Sequence, residues 1–198
     1  MLSTTYSTSR KRSSAVVLSR DRSQVLIVDV QERLLPAMHE GDQVVERCAV
    51  LLQAAARLQI PATVSEQYRK GLGPTVATLH NVMGGAAVLE KAHFSCARDS
   101  VLSARIGGLA HGGRRQVVIG GIESHVCVLQ SALGFRSLGL DVVVVADAVT
   151  SRRPESVALA LDRCRAAGLL VVSTEMALFE WLDVSSTPEF TELSKLIK

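Results

Sequence analysis

The sequence predicts an α/β fold in which a six-stranded parallel sheet lies between two layers of helices, as in Rossmann-like proteins. Strand-like and helix-like stretches alternate along the chain from residue 24 onward. The strand-like stretches are short and continuously aliphatic, which is typical of strands buried on both faces. Apolar residues make up 47% of the 198 residues but aromatic residues only 4%, so we expect an aliphatic core.

The first half of the chain contains three predicted strands, which are residues 24–30, 60–64 and 86–90. Residues 42–59 carry apolar side chains at helical spacing, and a Gly-Asp pair at their start is a helix start signal. Residues 65–74 are predicted to form a loop because two glycines and a proline interrupt them. Residues 75–80 are long enough for one or two helical turns.

The second half contains the other three strands, which are residues 116–119, 141–146 and 169–172. Helical patterns surround them at residues 100–109, 125–138, 154–167, 174–182 and 188–197. Pro154 stands at the first position of its helix, where the missing N–H loses no hydrogen bond. Thr174 can cap the next helix through its hydroxyl.

The N-terminal residues 1–22 differ in composition from the rest of the chain. They carry five basic residues and one acidic residue, a net charge of +4, whereas residues 23–198 carry 17 basic and 18 acidic residues, a net charge of −1. We therefore expect a basic, Ser- and Arg-rich tail followed by one domain. The tail is similar to a mitochondrial transit peptide, but an ordinary solvated tail explains it at least as well, so the expected location is cytoplasmic or mitochondrial.

Charge and hydropathy also bear on the partners of the domain. A near-neutral domain lacks the positive surface that attracts a polyanion, so the composition argues against nucleic acid as a partner without excluding it. No apolar run reaches the ~18 residues that a membrane span needs, so no membrane partner is expected. The high aliphatic content and the amphipathic terminal helix are compatible with self-association as a homo-oligomer. A small-molecule substrate is expected from the side chains at the strand ends.

Three chemically capable side chains follow predicted strands: Asp29, Lys91 and Cys127. Each has a structural interpretation too: a hydrogen-bonded strand end, a lysine that reaches solvent, and a small buried hydrophobe. Cys127 begins a helical pattern, where backbone N–H groups and the helix dipole predict a lowered thiol pKa. Because strand ends of a parallel sheet meet at one edge, the three can form a thiol nucleophile, its proton acceptor and a stabilising cation.

The remaining cysteines and two polar residues receive structural predictions. No CxxC pair occurs, and a reducing compartment is expected. Cys48 and Cys164 are predicted to lie in the core, whereas Cys96 is the rival nucleophile. His125 is expected at the rim of the site or in a structural role, because neighbouring helical positions point in different directions. Asp147 is predicted to cap the turn that directly follows it.

The motifs LIVDVQ, EKAHFS and GGIESHVCV, in this order, resemble those of the isochorismatase-like cysteine hydrolase family. SEQYRKGLGPT and ADAVTSR are similar to its isochorismatase domain-containing protein subgroup, and the resemblance covers roughly residues 23–198. It implies the isochorismatase-like hydrolase fold with Asp29, Lys91 and Cys127 as a catalytic triad. It also implies a cis peptide bond between Ile122 and Glu123, with the N–H groups of Glu123 and Cys127 forming an oxyanion hole.

The same resemblance suggests which residues contact the substrate. Gln67 and Tyr68 fall where substrate contacts are expected, although an ordinary surface loop is equally compatible with them. Phe94 is a candidate pocket wall, for which a core position is the alternative, and Ile122 completes the set. Glu123 stands where many amidase members have a small or hydroxyl residue, so it is expected to narrow or charge the pocket.

The departures from the family pattern define the expected reaction. The metal-binding cluster of nicotinamidase-type members has no histidine counterpart in SEQYRKGLGPT, so no metal and no cofactor are expected. Members that hydrolyse the vinyl ether of isochorismate lack the cysteine that stands here at position 127. The expected activity is therefore hydrolysis of a small amide-like C–N bond through a thioester. The alternatives are a mitochondrial-associated ribonuclease and a non-catalytic interaction protein on the same fold.

Overall fold

The computed structural model describes residues 17–197 and confirms the predicted parallel sheet of six strands with helices on both faces. The strands are β1 (Ser23–Val28), β2 (Ala62–Gln67), β3 (Ala87–Lys91), β4 (Gln116–Ile122), β5 (Asp141–Thr150) and β6 (Leu170–Val172). They are ordered β3-β2-β1-β4-β5-β6, and neighbouring strands are parallel. The order reverses between β1 and β4, where open α/β sheets bind their ligands.

Helices cover both faces of the sheet. They are α1 (Gly41–Arg57), α2 (Arg69–Leu72), α3 (Ala77–His80), α4 (Ser100–His111), α5 (Leu129–Ser137), α6 (Pro154–Ala166), α7 (Thr174–Leu182) and α8 (Pro188–Leu193). Helices α1, α3, α7 and α8 contribute to one hydrophobic core, and α4, α5 and α6 contribute to the other. Short 3-10 turns occur at Leu35–Ala37 and Ser194–Ile197.

The continuous aliphatic strands explain the two cores. In β1, Val25 and Ile27 pack into the first core, and Leu26 and Val28 pack into the second. All four side chains are fully buried, because successive residues of a strand point to opposite faces and both faces are covered. Full burial of such a side chain contributes about 1.5–3 kcal/mol, so the alternation stabilises both helical layers.

Strand β4 continues three residues beyond its predicted end at residue 119. Two consecutive glycines follow that position, and they bring the strand close to β1. Gly121 has a φ of 115°, and a Cβ there would collide with the carbonyl oxygen of Val28 on β1. Only glycine therefore allows this approach. The extension delivers Ile122 and the following turn to the switch point of the sheet.

The described part of the N-terminal segment lies against the domain. Leu18 is buried in the first core, and its N–H donates to Glu180 Oε2 at 2.6 Å. The N–H of Ser19 donates to Gln116 Oε1 at 2.9 Å. Residues 1–16, which include most of the predicted basic tail and transit-like segment, lie outside the described residues. Within residues 17–197, no helix combines the length and the apolar character that crossing a bilayer requires.

Candidate active site

The end of β1 turns Asp29 into the switch point of the sheet. Asp29 has a φ of 53°, a left-handed conformation that costs about 1–2 kcal/mol for a residue with a side chain. Its N–H donates to the carbonyl oxygen of Ser65 on β2 at 3.0 Å, and the Ser65 hydroxyl donates to Asp29 Oδ1 at 2.7 Å. Such conformations persist where the surroundings enforce them, and they cluster at functional sites.

Lys91 reaches Asp29 from the other side of β2. It is the last residue of β3, so its backbone lies two strands, or about 10 Å, away from β1. Its Nζ is 2.7 Å from Asp29 Oδ2, and both side chains are fully buried. An isolated charge at such depth is strongly unfavourable, so each group depends on the other for its charged state.

Three further acceptors hold the Lys91 ammonium. Gln67 Oε1 accepts at 2.7 Å, and the carbonyl oxygens of His93 and Phe94 accept at 3.2 Å each. Gln67 pairs with Lys91 in the register of β2 and β3, and its Nε2 donates to the carbonyl oxygen of Ala92 at 2.8 Å. An ammonium has three N–H donors, so Asp29 and these acceptors fully occupy it. Both ends of the Gln67 amide are likewise engaged within the protein.

Cys127 lies in a π-helical turn, Ser124–Val128, between β4 and α5. It is 6% exposed and lies beside Asp29. Burial raises the pKa of the Cys127 thiol, and the negative charge of Asp29 raises it further, while Lys91 opposes both effects. The expected lowering of this pKa by the helix start is therefore wrong, because burial beside a carboxylate outweighs the favourable position.

Asp29 and Lys91 shift each other's proton affinity. Burial raises the pKa of Asp29, and the positive charge of Lys91 offsets this in part. For Lys91, burial lowers the pKa, but the negative charge of Asp29 and the hydrogen bond to Asp29 raise the pKa overall. Lys91 thus stays an ammonium, and Asp29 becomes a more basic proton acceptor than an exposed aspartate. The site can hold a thiol next to a carboxylate that is able to take its proton.

The turn after β4 presents a free backbone donor. The Ile122–Glu123 peptide bond is cis. Within the part of the chain that the structure describes, the Glu123 N–H has no hydrogen-bond acceptor. The Glu123 carbonyl oxygen accepts from the N–H groups of Val126 and Val128 at 3.1 and 3.2 Å. The turn is therefore fixed by its carbonyl group, while its N–H remains available.

The carboxylate of Glu123 forms an ion pair with Arg152. Glu123 Oε1 lies 3.2 Å from Arg152 Nη2, and Glu123 Oε2 accepts from the Arg152 N–H at 3.4 Å. The negative charge that the sequence places four residues before Cys127 is therefore balanced.

The remaining predicted contact residues differ in exposure. Tyr68 is 62% exposed and Phe94 is 56% exposed. The Tyr68 N–H donates to the Lys91 carbonyl oxygen at 3.0 Å, and the Phe94 carbonyl oxygen accepts from Lys91 Nζ at 3.2 Å. Phe94 is thus exposed and does not lie in the core. Ile122 is fully buried and packs within the first core. The two aromatic side chains are therefore exposed, whereas Ile122 is enclosed.

The other cysteines are buried as small hydrophobes. Cys48 and Cys164 lie in the two cores, as predicted. Cys96 is fully buried, and its Sγ is 3.7 Å from the Ser65 hydroxyl that also binds Asp29. Burial raises the pKa of Cys96, and the charge of Asp29 adds to this effect. The rival nucleophile therefore lies behind Asp29, with no access to solvent.

Asp147 does not cap the turn that follows it. Its Oδ1 accepts from the N–H of Thr174 at 2.7 Å and lies 3.0 Å from the Thr174 hydroxyl, so it holds the start of α7. The prediction is wrong because the partner lies 27 residues away and is brought close by β5 and β6. The turn at Ser151 is held instead by Ser124 and His125, whose Oγ and Nδ1 lie 2.5 and 2.9 Å from Ser151 Oγ.

Sequence reasoning missed several of these supporting residues, above all Ser65 and Ser151. Both are polar and fully buried beside candidate residues. A hydroxyl inside a buried strand was the available signal for Ser65.

Among residues 17–197, no cluster of three or more His, Cys, Asp or Glu side chains has the arrangement to hold a metal ion.

Comparison with known proteins places these features in a family context. The family model described as "Isochorismatase domain" matches residues 23–176. The chain is 37% identical over 183 residues to isochorismatase domain-containing protein 2 of zebrafish, Danio rerio, covering 91% of this chain and 89% of the relative. It is similar to the structure of the MAR1 ribonuclease of Caenorhabditis elegans, with a TM-score of 0.85, 31% identity and 92% coverage of each chain. The YcaC gene product of Escherichia coli, an octameric hydrolase of unknown specificity, shares the fold with a TM-score of 0.85 and 23% identity over 94% of this chain and 91% of that one.

Proposed function

Because the chain belongs to the isochorismatase family, we propose that it is a cysteine hydrolase in which Cys127 attacks a small amide without metal help. The observation that carries the proposal is the position of Asp29 between Lys91 and Cys127. A carboxylate whose pKa is raised by burial is suited to take a proton from an adjacent thiol.

The raised pKa of Cys127 determines how the attack begins. The resting thiol is protonated, so the proton moves to Asp29 as the sulfur approaches the carbonyl carbon of the substrate. Lys91 remains charged and stabilises the negative charge that the thiolate and the carboxylate share. The developing oxyanion accepts hydrogen bonds from the N–H groups of Glu123 and Cys127.

The intermediate then collapses to a thioester. The C–N bond breaks, and the leaving nitrogen takes the proton from Asp29, so that an amine or ammonia departs and Asp29 is ionised again. Water next attacks the thioester carbon and gives a proton to Asp29, and the C–S bond breaks. That proton returns to the sulfur, which releases the carboxylic acid and restores the Cys127 thiol. Asp29 thus acts as base and acid in turn.

We propose that Tyr68 and Phe94 form an aromatic rim that receives the substrate. Tyr68 and Phe94 are exposed next to Lys91, where they can cover an apolar part of a small amide. Gln67 binds Lys91, and Ile122 is buried, so we propose that both support the site from behind. These roles refine the four substrate contacts predicted from the sequence.

The test is a panel of small primary amides assayed for ammonia release. The wild type should hydrolyse part of the panel, and Cys127→Ala should lose at least about a thousandfold in rate. Cys96→Ala is the matched control and should keep its activity, since Cys96 is enclosed behind Asp29. Mass spectrometry of the quenched reaction should find the acyl group on Cys127. Undiminished hydrolysis by Cys127→Ala would overturn the proposal.

A ribonuclease is the second candidate, because the Caenorhabditis elegans structure at 31% identity bears that name. The charge distribution opposes it, since residues 23–198 carry a net charge of −1 and the excess positive charge lies in residues 1–22. RNA cleavage that survives Cys127→Ser but is lost on neutralising Arg10, Lys11 and Arg12 would favour this candidate. A non-catalytic interaction protein is the third, and any Cys127-dependent turnover excludes it.

Self-association is proposed as well. The Escherichia coli YcaC gene product, which shares the fold, is octameric. In the present chain, the side chains of Met176 and Phe179 on α7 are 49% and 43% exposed. Such side chains are enriched at interfaces between subunits. Light scattering coupled to gel filtration should give a mass that is a multiple of 21.2 kDa, and a monomeric mass at micromolar concentration would contradict the proposal.

A further inference from the structure

A pocket of about 480 Å³ lies beside the turn that carries the free Glu123 N–H. Its lining comes from the ends of β4 and β5 and from the start of α6, and consists of Glu123, His125, Val126, Arg152, Arg153 and Ser156. The pocket therefore does not include the three proposed catalytic side chains. Glu123 connects the two regions, because its N–H serves the proposed oxyanion hole and its side chain lines the pocket.

The pocket carries an unbalanced positive charge. Its lining residues include two arginines and one glutamate, a formal charge of +1 from these three residues. The carboxylate of Glu123 is paired with Arg152 at 3.2 Å. Arg153 forms no salt bridge with any residue between 17 and 197. Arg153 thus lines the pocket as an exposed residue, and its guanidinium has no carboxylate partner among the described residues.

The two loops that form this pocket are tied together. The Ser151 hydroxyl is fully buried and lies 2.5 Å from Ser124 Oγ and 2.9 Å from His125 Nδ1. Arg152 follows directly and is held by Glu123 through both its N–H and its guanidinium. The end of β5 is therefore fixed against the turn after β4. A group bound by Arg153 would have a defined position relative to the oxyanion hole.

We infer that this pocket binds a carboxylate of the substrate, so that the preferred substrate is a small amide that also carries an acid group. Arg153 has the planar donor arrangement that a carboxylate accepts in bidentate fashion, and the Ser156 hydroxyl supplies another donor. Arg152 stays with Glu123 and prevents that side chain from repelling the ligand. The inference rests on the proposed amide hydrolysis for the identity of the group that reacts.

Binding of the acid group is tested first, without catalysis. Glutarate is titrated into the Cys127→Ala protein and followed by the chemical shifts of the backbone amides. Arg153→Gln should weaken binding about tenfold, as expected for hydrogen bonds to a charged group. Arg165→Gln is the matched control at the far end of α6, where Arg165 pairs only with Asp162 on the surface at 3.0 Å. Equal affinity in both variants overturns the inference, and so does tighter Arg153-dependent binding of inorganic phosphate than of glutarate.

Turnover then tests whether the bound acid belongs to the substrate. Monoamides of straight-chain dicarboxylic acids are compared with neutral primary amides of the same length. The wild type should prefer the acidic series by about tenfold in kcat/KM; Arg153→Gln should abolish this preference, and the control Arg165→Gln should keep it. Cys127-dependent hydrolysis with no such preference overturns the inference and leaves the amidase intact. Absence of Cys127-dependent hydrolysis in both series overturns the proposed function instead, and the glutarate titration alone then decides whether the pocket binds carboxylates.

Discussion

Lys91 Nζ and Asp29 Oδ2 lie 2.7 Å apart in a fully buried ion pair that bridges two strands separated by β2. The pair fixes the charge state of the candidate site: the ammonium needs the carboxylate, and the carboxylate needs the ammonium. It also sets the proton affinity of Cys127, since Asp29 raises the pKa of the thiol and Lys91 lowers it. The three groups therefore titrate as a coupled unit.

This coupling predicts opposite effects of Asp29→Asn on two reactions of Cys127. Loss of the negative charge should lower the pKa of the thiol, so iodoacetamide should alkylate Cys127 faster at pH 8 than it does in the wild type. Amide turnover should be lost, because the proton acceptor is gone. Peptide mass spectrometry reports alkylation at each cysteine, and ammonia release reports turnover.

The matched control for this prediction is Asp141→Asn, which removes an aspartate that pairs with Arg22 on the surface at 3.4 Å. It should leave both rates unchanged. In the wild type, the alkylation rate of Cys127 should rise about tenfold per pH unit between pH 7 and 9, since the thiolate fraction grows in this proportion below the raised pKa. Slower alkylation of Cys127 in Asp29→Asn would show that Asp29 activates the resting thiol and does not hold it protonated.

Most of the fold could be predicted because its signals are local. Continuous aliphatic runs such as that of β1 identify buried parallel strands. Because the carboxyl ends of parallel strands meet at one edge of the sheet, Asp29, Lys91 and Cys127 are then expected to lie close together. What could not be predicted depends on tertiary contacts. The raised pKa of Cys127 comes from burial beside Asp29, and the role of Asp147 depends on Thr174, which is distant in sequence. Neither contact leaves a periodic pattern in the chain.

The end of β4 shows the same limit from the backbone side. A pair of glycines predicts a strand end, yet here they continue the strand, because Gly121 must pass close to Val28. Composition shows that glycine is present but not what it approaches. The positions of Glu123 and Cys127 therefore depend on the pairing of β1 with β4, which the sequence pattern does not specify.

Gln67→Ala should separate positioning from substrate binding. Gln67 Oε1 accepts from Lys91 at 2.7 Å, so its loss should let the ammonium shift and should lower kcat about tenfold or more, with KM nearly unchanged. Gln43→Ala on the exposed face of α1 is the matched control and should match the wild type. Steady-state kinetics on the best amide measures both constants. A raised KM with unchanged kcat would assign Gln67 to the substrate instead.

Gly121→Ala should destabilise the protein far more than Gly139→Ala. Both glycines have positive φ, 115° and 80°, so each substitution carries a conformational cost of about 1–2 kcal/mol. A Cβ at Gly139 meets open space, whereas one at Gly121 collides with the backbone of Val28, which adds about 1–3 kcal/mol of overpacking. Urea denaturation gives the free energy of unfolding for each. Equal costs would show that β1 and β4 do not approach as closely as described.

Cys48 should make the stability of the protein depend on pH in the alkaline range. Burial raises the pKa of its thiol to about 12, well above the value of about 8.5 for an unfolded cysteine. Because this pKa is raised on folding, the protonated thiol contributes stability below the unfolded pKa, and that contribution is lost as the pH rises towards the folded value. At pH 9.5 the unfolded chain has mostly released the proton and the folded chain has not. The free energy of unfolding should therefore fall by about 1.4 kcal/mol between pH 7.5 and 9.5 relative to Cys48→Ala.

Val45→Ala on the same face of α1 truncates a buried side chain without a titrating group, so its difference from the wild type should not change with pH. Urea denaturation at the two pH values measures both differences, and a pH-independent difference for Cys48→Ala would contradict the enclosure of this thiol between α1 and the sheet.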